Sequence, residues 1–444
     1  MIQEVKDIYI KQYRLFEQSL NGVRHDSIHQ IRRKAIEQFE KLGFPTTKHE
    51  EWRFTNISPL TRTQFTPAYQ VEAQEISEEQ FNKISIKRLN GIKLIFINGK
   101  YSEKLSDKSF PKGIEISSLA HILQSENTSL HKIIEHFANI ENNSFTSLNT
   151  SFLLEGVFIQ IHANIEINEP IYLVYITTDT KTPLIIHPRN IIMVAKNSKA
   201  SIIEHYISTE NNSNFTNAVS EIRLDENAVL EHNKIQTESN NAFHIGSTYI
   251  EQLSKSKFTS NSIMIGGSLV RNNIYATLNG EETECTLNGL SLASGNQLID
   301  NHTSIDHAKP NCSSREFYKA ILDGKARGVF NGKIYVRKDS QKTDSKQTNK
   351  TLLLSDEATM NTKPQLEIFA DDVKCTHGAA IGYLDSDSLF YLRSRGISEN
   401  IARDILTYAF ANDIIERITI EPIQEYLHNI LFSRFKKARI LTNE

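Results

Sequence analysis

Val157-Phe158-Ile159-Gln160-Ile161, Ile171-Tyr172-Leu173-Val174-Tyr175, Asn190-Ile191-Ile192-Met193-Val194, Ala200-Ser201-Ile202-Ile203-Glu204-His205 and Val229-Leu230-Glu231-His232-Asn233-Lys234 follow one another with little but turn residues between them. Ser262-Ile263-Met264-Ile265 continues the series, and the texture persists from about residue 151 to about Gly382. Short segments rich in β-branched and aromatic residues, bounded by Gly, Asn, Asp and Ser, read as strands. Hardly any helical periodicity interrupts them. Many strands without crossover helices imply a sandwich, a barrel or a solenoid. The run is long for one sandwich, and its spacing is roughly regular without exact repetition. Asn recurs in Arg271-Asn272-Asn273, Asn279-Gly280, Asn288-Gly289, Asn296 and Asn331-Gly332, which suits stacked tight bends. A β-solenoid is the reading chosen, although periodicity by itself leaves a sandwich open.

Working outward, the flanks turn helical. Ile28, Ile31, Ala35, Ile36 and Phe39 recur at helical spacing, and Gly43 can end that helix. The loop His49-Glu50-Glu51-Trp52-Arg53-Phe54-Thr55 carries the only tryptophan and reads as a docking segment that fixes the N-terminal helices. Lys93-Leu94-Ile95-Phe96-Ile97 reads as a strand closed by a turn at Asn98-Gly99, and a helical segment is expected near 128–140. After Tyr383, Ser398 is a plausible N-cap with Ile401, Ile405, Ala409 and Phe410 on one stripe. Pro422 suits the first turn of a last helix bearing Ile423, Tyr426, Leu427, Ile430 and Leu431. The division is thus a helical region over 1–90, a β-solenoid core over 91–385 and a helical region over 386–444. The fold class is mainly β, with helical domains capping both ends.

The 444 residues carry a net charge of -3, which gives no electrostatic case for nucleic acid. The 3 cysteines, Cys285, Cys312 and Cys375, are too few and scattered for a disulfide framework, and no Cys-x-x-Cys is present. Cys285 and Cys312 read as small packed residues. No apolar run approaches the roughly 20 residues that span a bilayer, and the N-terminus lacks a secretory signal. The expectation is a cytoplasmic protein with reduced thiols, associated with neither membrane nor nucleic acid. Phosphate-binding loops, dinucleotide fingerprints and nucleophile elbows are absent, so any nucleotide hydrolysis must come from a partner.

Two segments hold chemistry. In Asp300-Asn301-His302-Thr303-Ser304-Ile305-Asp306-His307, alternate residues Asp300, His302, Ser304 and Asp306 share one strand face. The bland reading is a solvated ladder on the solenoid exterior. The sharp one is a proton-transfer or metal cluster, as in a carbohydrate-active β-helix lyase or glycosidase using Asp300, Asp306, His302 and His307. In Asp371-Asp372-Val373-Lys374-Cys375-Thr376-His377-Gly378-Ala379, a thiol and an imidazole lie two residues apart. On a strand Cys375 and His377 project together, and they are ligands that soft or borderline metals and iron–sulfur clusters prefer.

That segment is preceded by Leu352-Leu353-Leu354-Ser355-Asp356-Glu357-Ala358 and by Asn361-Thr362-Lys363-Pro364-Gln365-Leu366-Glu367-Ile368. It is followed by Leu389-Phe390-Tyr391-Leu392-Arg393-Ser394-Arg395-Gly396-Ile397. The ordered set closely resembles SufD within the SufB/SufD family, scaffold subunits of SUF iron–sulfur cluster assembly, over most of the chain. The resemblance implies a right-handed parallel β-helix and a complex with SufB, a paralogue, and SufC, an ABC-type ATPase. It implies a transient iron–sulfur cluster at the SufB–SufD interface, with none held by the isolated chain. His377, and Cys375 on the same face, would be the cluster ligands, and the C-terminal helices would dock SufC. The isolated chain would pair with itself as a homodimer. SufB-like chains carry a cysteine where this chain has Ala358 and a glutamate where it has Gly378. The resemblance therefore points to the non-catalytic, helper half of the scaffold.

Overall fold

A computed structural model describes residues 2–20, 27–72, 74–123, 140–209 and 211–441. From Gly156 onward the chain winds through about 8 coils, each giving one strand to each of two sheets. One sheet has 11 strands and the other 10, and every coil-to-coil pairing is parallel. Antiparallel pairing is confined to the start, between Ile92–Ile97 and Lys100–Tyr101 and between Ile114–Ser118 and Gly156–Ile161. The Asn98-Gly99 turn has φ of +50° and +79°, the left-handed pair a tight hairpin needs. Strands of about ten residues dominate the solenoid, as in Lys199–Ser208, Phe215–Leu224 and Leu298–His307. The sandwich is thereby excluded.

Two features of the sequence decide how the coils stack. At one corner, successive coils turn at a residue in the left-handed region: Asn164, Asn197, Asn227, Lys255, Glu282, Asn311 and Lys342. Asn tolerates that conformation best of the non-glycine residues. Its side chain also bonds across coils: the Asn197 Nδ2 donates to Asn164 Oδ1 and the Asn227 Nδ2 to Asn197 Oδ1, both at 2.9 Å. The asparagines of Arg271-Asn272-Asn273, Asn288-Gly289 and Asn331-Gly332 are not at bends, contrary to expectation. They lie inside the strands Leu269–Leu278, Glu284–Ala293 and Arg327–Val336. There Asn273 and Asn288 bond registered side chains of the preceding coil, while Asn331 donates to Glu51 of the Trp52 loop. Asn288 Nδ2 donates to Asn261 Oδ1, and Asn261 Nδ2 to Asn233 Oδ1, each at 2.9 Å. Replacing Asn261 by Leu breaks both rungs and strands buried amide atoms. A loss of roughly 2 kcal/mol is expected, read as a lower urea midpoint with unchanged slope.

The interior of the coils is filled by side chains such as Ile202, Leu230, Phe258 and Leu287. Each such side chain contributes about 1.5–3 kcal/mol by leaving water. The outer faces are covered by the helical regions. Tyr9, Tyr13, Phe16 and Phe39 pack with Phe215, Phe243 and Leu269. Ile414, Ile415, Leu427 and Leu431 pack with Ile203, Ile235 and Ile263. The helix Ser27–Leu42 buries Ile28, Ile31, Ala35, Ile36 and Phe39, and ends where the Gly43 N–H, at φ +63°, donates to Phe39 O.

Helix Glu399–Ile415 starts after Ser398, but the Ser398 hydroxyl makes no capping bond. Its expected apolar stripe is not the buried one: Ala402, Ala411, Ile414 and Ile415 are buried, while Ile401 and Ile405 face outward. The small Ala402 and Ala411 let this helix sit close to the solenoid, and the bulkier stripe is left facing out. Helix Ser144–Ser151 was not anticipated, because its polar composition hides a fully buried segment. The helix expected near 128–140 falls largely outside the described residues.

Candidate functional site

The solenoid is open at its last coil. Strand Thr359–Ile368 pairs with Arg327–Val336 on one side only, and Lys374–Gly382 pairs only with Asp344–Leu353. These two edges end their sheets with unpaired backbone groups, which is a template for pairing with another chain. Phe369, Ile381 and Tyr383 are exposed beside them. The terminal coil is therefore a surface of interface character rather than a capped end.

Cys375 and His377 both lie on Lys374–Gly382. Cys375 is half-buried and packs against the interior core. Burial pushes its thiol pKa up, and a hydrogen bond from the Ser345 backbone works in the opposite direction. His377 is exposed. Among the described residues, no group of three or more His, Cys, Asp or Glu side chains is placed to hold a metal ion. A thiol and an imidazole on one strand could supply at most half of a tetrahedral coordination sphere. Cys285 and Cys312 are free and buried far from solvent exchange, and burial raises both thiols.

The polar strand Leu298–His307 departs from its expected exposure. Asp300 is fully buried and His302 nearly so, because the Trp52 loop lies over them. Thr55 Oγ1 donates to Asp300 Oδ2 at 2.5 Å, and His302 meets Asp300 at 2.9 Å and Glu51 at 3.2 Å. The Arg271 guanidinium bonds Asp300 Oδ2 at 2.9 Å and lies 3.8 Å from the Trp52 ring centre. The docking reading of this loop thus holds, with the solenoid flank as its seat. Burial alone would raise the Asp300 carboxyl, but His302 and Arg271 overcome it and hold it low. Asp300 and His302 are consumed by this clasp, and Asp306 pairs with Arg337. His307 faces away, bonding Ser314 inside the solenoid at 2.9 Å. The four residues do not converge, so the acid–base constellation of a carbohydrate enzyme is not formed.

Buried titratable groups elsewhere set a pH response. Burial lowers His187 and His205 to about 3 and His307 to about 4. Burial raises Glu155 and Glu316 to about 7. Below pH 6.5 the unfolded chain protonates the three imidazoles and the folded chain does not, so stability falls. Between about 7 and 4.5 the folded chain holds protons on the two carboxyls that the unfolded chain lacks, so their contribution has the opposite sign. The imbalance is one proton, and these groups lower stability by about 1.4 kcal/mol per unit as pH falls from 6.5 to 4.5. Urea titrations over that window are expected to show this slope, and Glu316→Gln is expected to roughly double it. A flat profile in the variant would contradict the assignment.

Comparison with known proteins bears on this arrangement. The profile for the SUF-system FeS cluster assembly SufBD core domain matches residues 175–410, and that for the SufBD N-terminal region matches residues 3–173. The chain belongs to the SufBD family of iron–sulfur cluster assembly proteins. It is 33% identical over 430 residues to a SufBD family protein of Synechocystis, covering 95% of this chain and 94% of that one. It is 33% identical over 392 residues to the iron–sulfur cluster assembly protein SufD of Escherichia coli, covering 88% and 89%. The SufD of Bacillus subtilis is 24% identical over 420 residues. The solenoid is thus the SufBD core, and the open coil lies within the matched core. Ala358 is buried, whereas a side chain at Gly378 would meet open space. Among the described residues no helix is long and apolar enough to cross a membrane.

Proposed function

We propose that this chain is the SufD-type, non-catalytic half of a cytoplasmic scaffold on which nascent iron–sulfur clusters form, working with a SufB-type paralogue and a SufC-type ATPase. The observation that carries the reading is the open terminal coil, which presents two unpaired sheet edges together with His377 and Cys375. A paralogue of the same fold has complementary edges to offer, so joining end strands would enclose these side chains at the joint. The cluster is cargo here. His377 supplies an imidazole nitrogen and Cys375 a thiolate, and the partner supplies the remaining ligands.

The C-terminal helices supply a second contact. Phe390, Tyr391, Ile401, Ile405 and Phe432 are exposed on Ser386–Ser394, Glu399–Ile415 and Glu421–Leu441, and Phe390 is 73% exposed. Exposed apolar side chains in this number suit a protein partner, and the ATPase fits because the chain itself has no phosphate-binding loop. In the isolated chain, the open edges would pair with a second copy.

The test is anaerobic mixing of the purified chain with SufB-type and SufC-type partners, followed by size-exclusion chromatography with light scattering. A stable three-component complex is expected, and a dimer for the chain alone. A chain that stays apart from both partners at micromolar concentration would refute the reading.

A further inference from the structure

The interior of the last coils carries polar groups in register with the two candidate ligands. Cys285, Ser314, Ser345 and Cys375 are successive Cα partners in one column. Leu287, Glu316, Gln347 and His377 form the adjacent one. Partners in register sit about 4.8 Å apart with side chains on the same face.

In the first column the hydrogen bonds run one way. His307 Nε2 lies 2.9 Å from Ser314 Oγ, and Ser314 Oγ donates to Ser345 Oγ at 2.8 Å. With its oxygen accepting from below, Ser345 keeps its own O–H to direct at the next rung, which is Cys375. In the second column the Gln347 Nε2 donates to Glu316. That bond fixes the amide plane and turns Oε1 away from Glu316. Gln347 Oε1 is buried and has no hydrogen-bond partner. A buried acceptor without a partner carries a cost of about 1–3 kcal/mol, which a donor on the next rung would relieve.

We propose that Ser345 and Gln347 are positioning residues for Cys375 and His377, an outer layer that orients the two ligands toward the open end. The inference rests on the ligand reading above. Gln347 Oε1 accepts an imidazole N–H when a partner covers His377, leaving the other ring nitrogen free to meet iron. Ser345 directs its O–H at the Cys375 sulfur one rung on and holds that side chain toward the open end.

Two measurements test this. In the chain bound to its SufB-type partner, cobalt(II) is titrated anaerobically and followed by its absorption. Gln347→Leu and Ser345→Ala are each expected to weaken affinity roughly 10- to 100-fold, and Ser345→Thr, which keeps the hydroxyl, to restore it. Urea unfolding of the same variants is expected to leave the midpoint nearly unchanged. Unchanged cobalt affinity in Gln347→Leu or in Ser345→Ala, or an affinity lost only together with the urea midpoint, overturns the proposal. If these hold but His377→Ala leaves cluster formation intact, the scaffold reading of His377 falls and the orienting layer stands. If His377→Ala abolishes cluster formation while both variants are silent, the reverse is true.

Discussion

Anaerobic cluster reconstitution on the assembled complex is expected to drop roughly tenfold or more when His377 is replaced by Ala, with Cys375→Ser giving a smaller loss. The argument is one of coordination number. On the proposed reading His377 and Cys375 are the ligands at the open coil, and among the described residues no third His, Cys, Asp or Glu is grouped with them to substitute for a missing imidazole. Stability should barely change, because His377 is exposed and its neighbour Gly378 has open space around it. The expected shift in unfolding free energy is within about 0.5 kcal/mol. The pair of measurements separates chemistry from folding: a cluster yield equal to wild type would remove His377 from the site. A yield lost together with the urea midpoint would mean that the residue holds the terminal coil instead.

The largest effect on stability is expected at Arg189, far from that coil. Arg189 and Glu221 are both fully buried, with the guanidinium 2.5 Å from Glu221 Oε1. Arg189 Nη1 also donates to Asn149 Oδ1 at 3.1 Å and to Thr150 Oγ1 at 3.0 Å. The cation thus joins the buried helix Ser144–Ser151 to the early coils of the solenoid. Arg189→Ala leaves the Glu221 carboxylate uncompensated in the interior, at a cost of about 3–5 kcal/mol. Equilibrium urea unfolding of the single variant should show that loss. The double variant Arg189→Met with Glu221→Leu should recover much of it, since replacing both charges by apolar groups removes the desolvation penalty. A double variant as unstable as the single one would show that Asn149 and Thr150, rather than the ion pair, carry the junction.

Strand segments such as Ile171-Tyr172-Leu173-Val174-Tyr175 were legible because a strand buried on both faces must be continuously apolar, and this one is. Helix Ser27–Leu42 was legible for the corresponding reason at helical spacing. Asn272, Asn288 and Asn331 were misplaced at bends. Composition registers an asparagine's preference for turns but not the cross-coil amide ladder, whose partner lies 27 or 28 residues away in the Asn288–Asn261–Asn233 rungs. The same distance hid the clasp over Asp300, where Thr55 is 245 residues from its acceptor. Of the candidate site, Cys375 and His377 were visible through strand alternation and the family resemblance. Ser345 and Gln347 were not, since nothing local marks a serine or glutamine as lying beneath a ligand one coil later.

The amino-acid sequence by itself determined the strand-rich core, the helical flanks and the Cys-x-His pair, because each depends on periodicities of two or 3.6 residues that are written along the chain. The tertiary structure alone decided which coil is left open, which polar side chains are sealed beneath the Trp52 loop, and which interior groups stand behind Cys375 and His377. Those are contacts between residues tens to hundreds of positions apart, and their partners are chosen by the registered stacking of coils rather than by any neighbour in sequence.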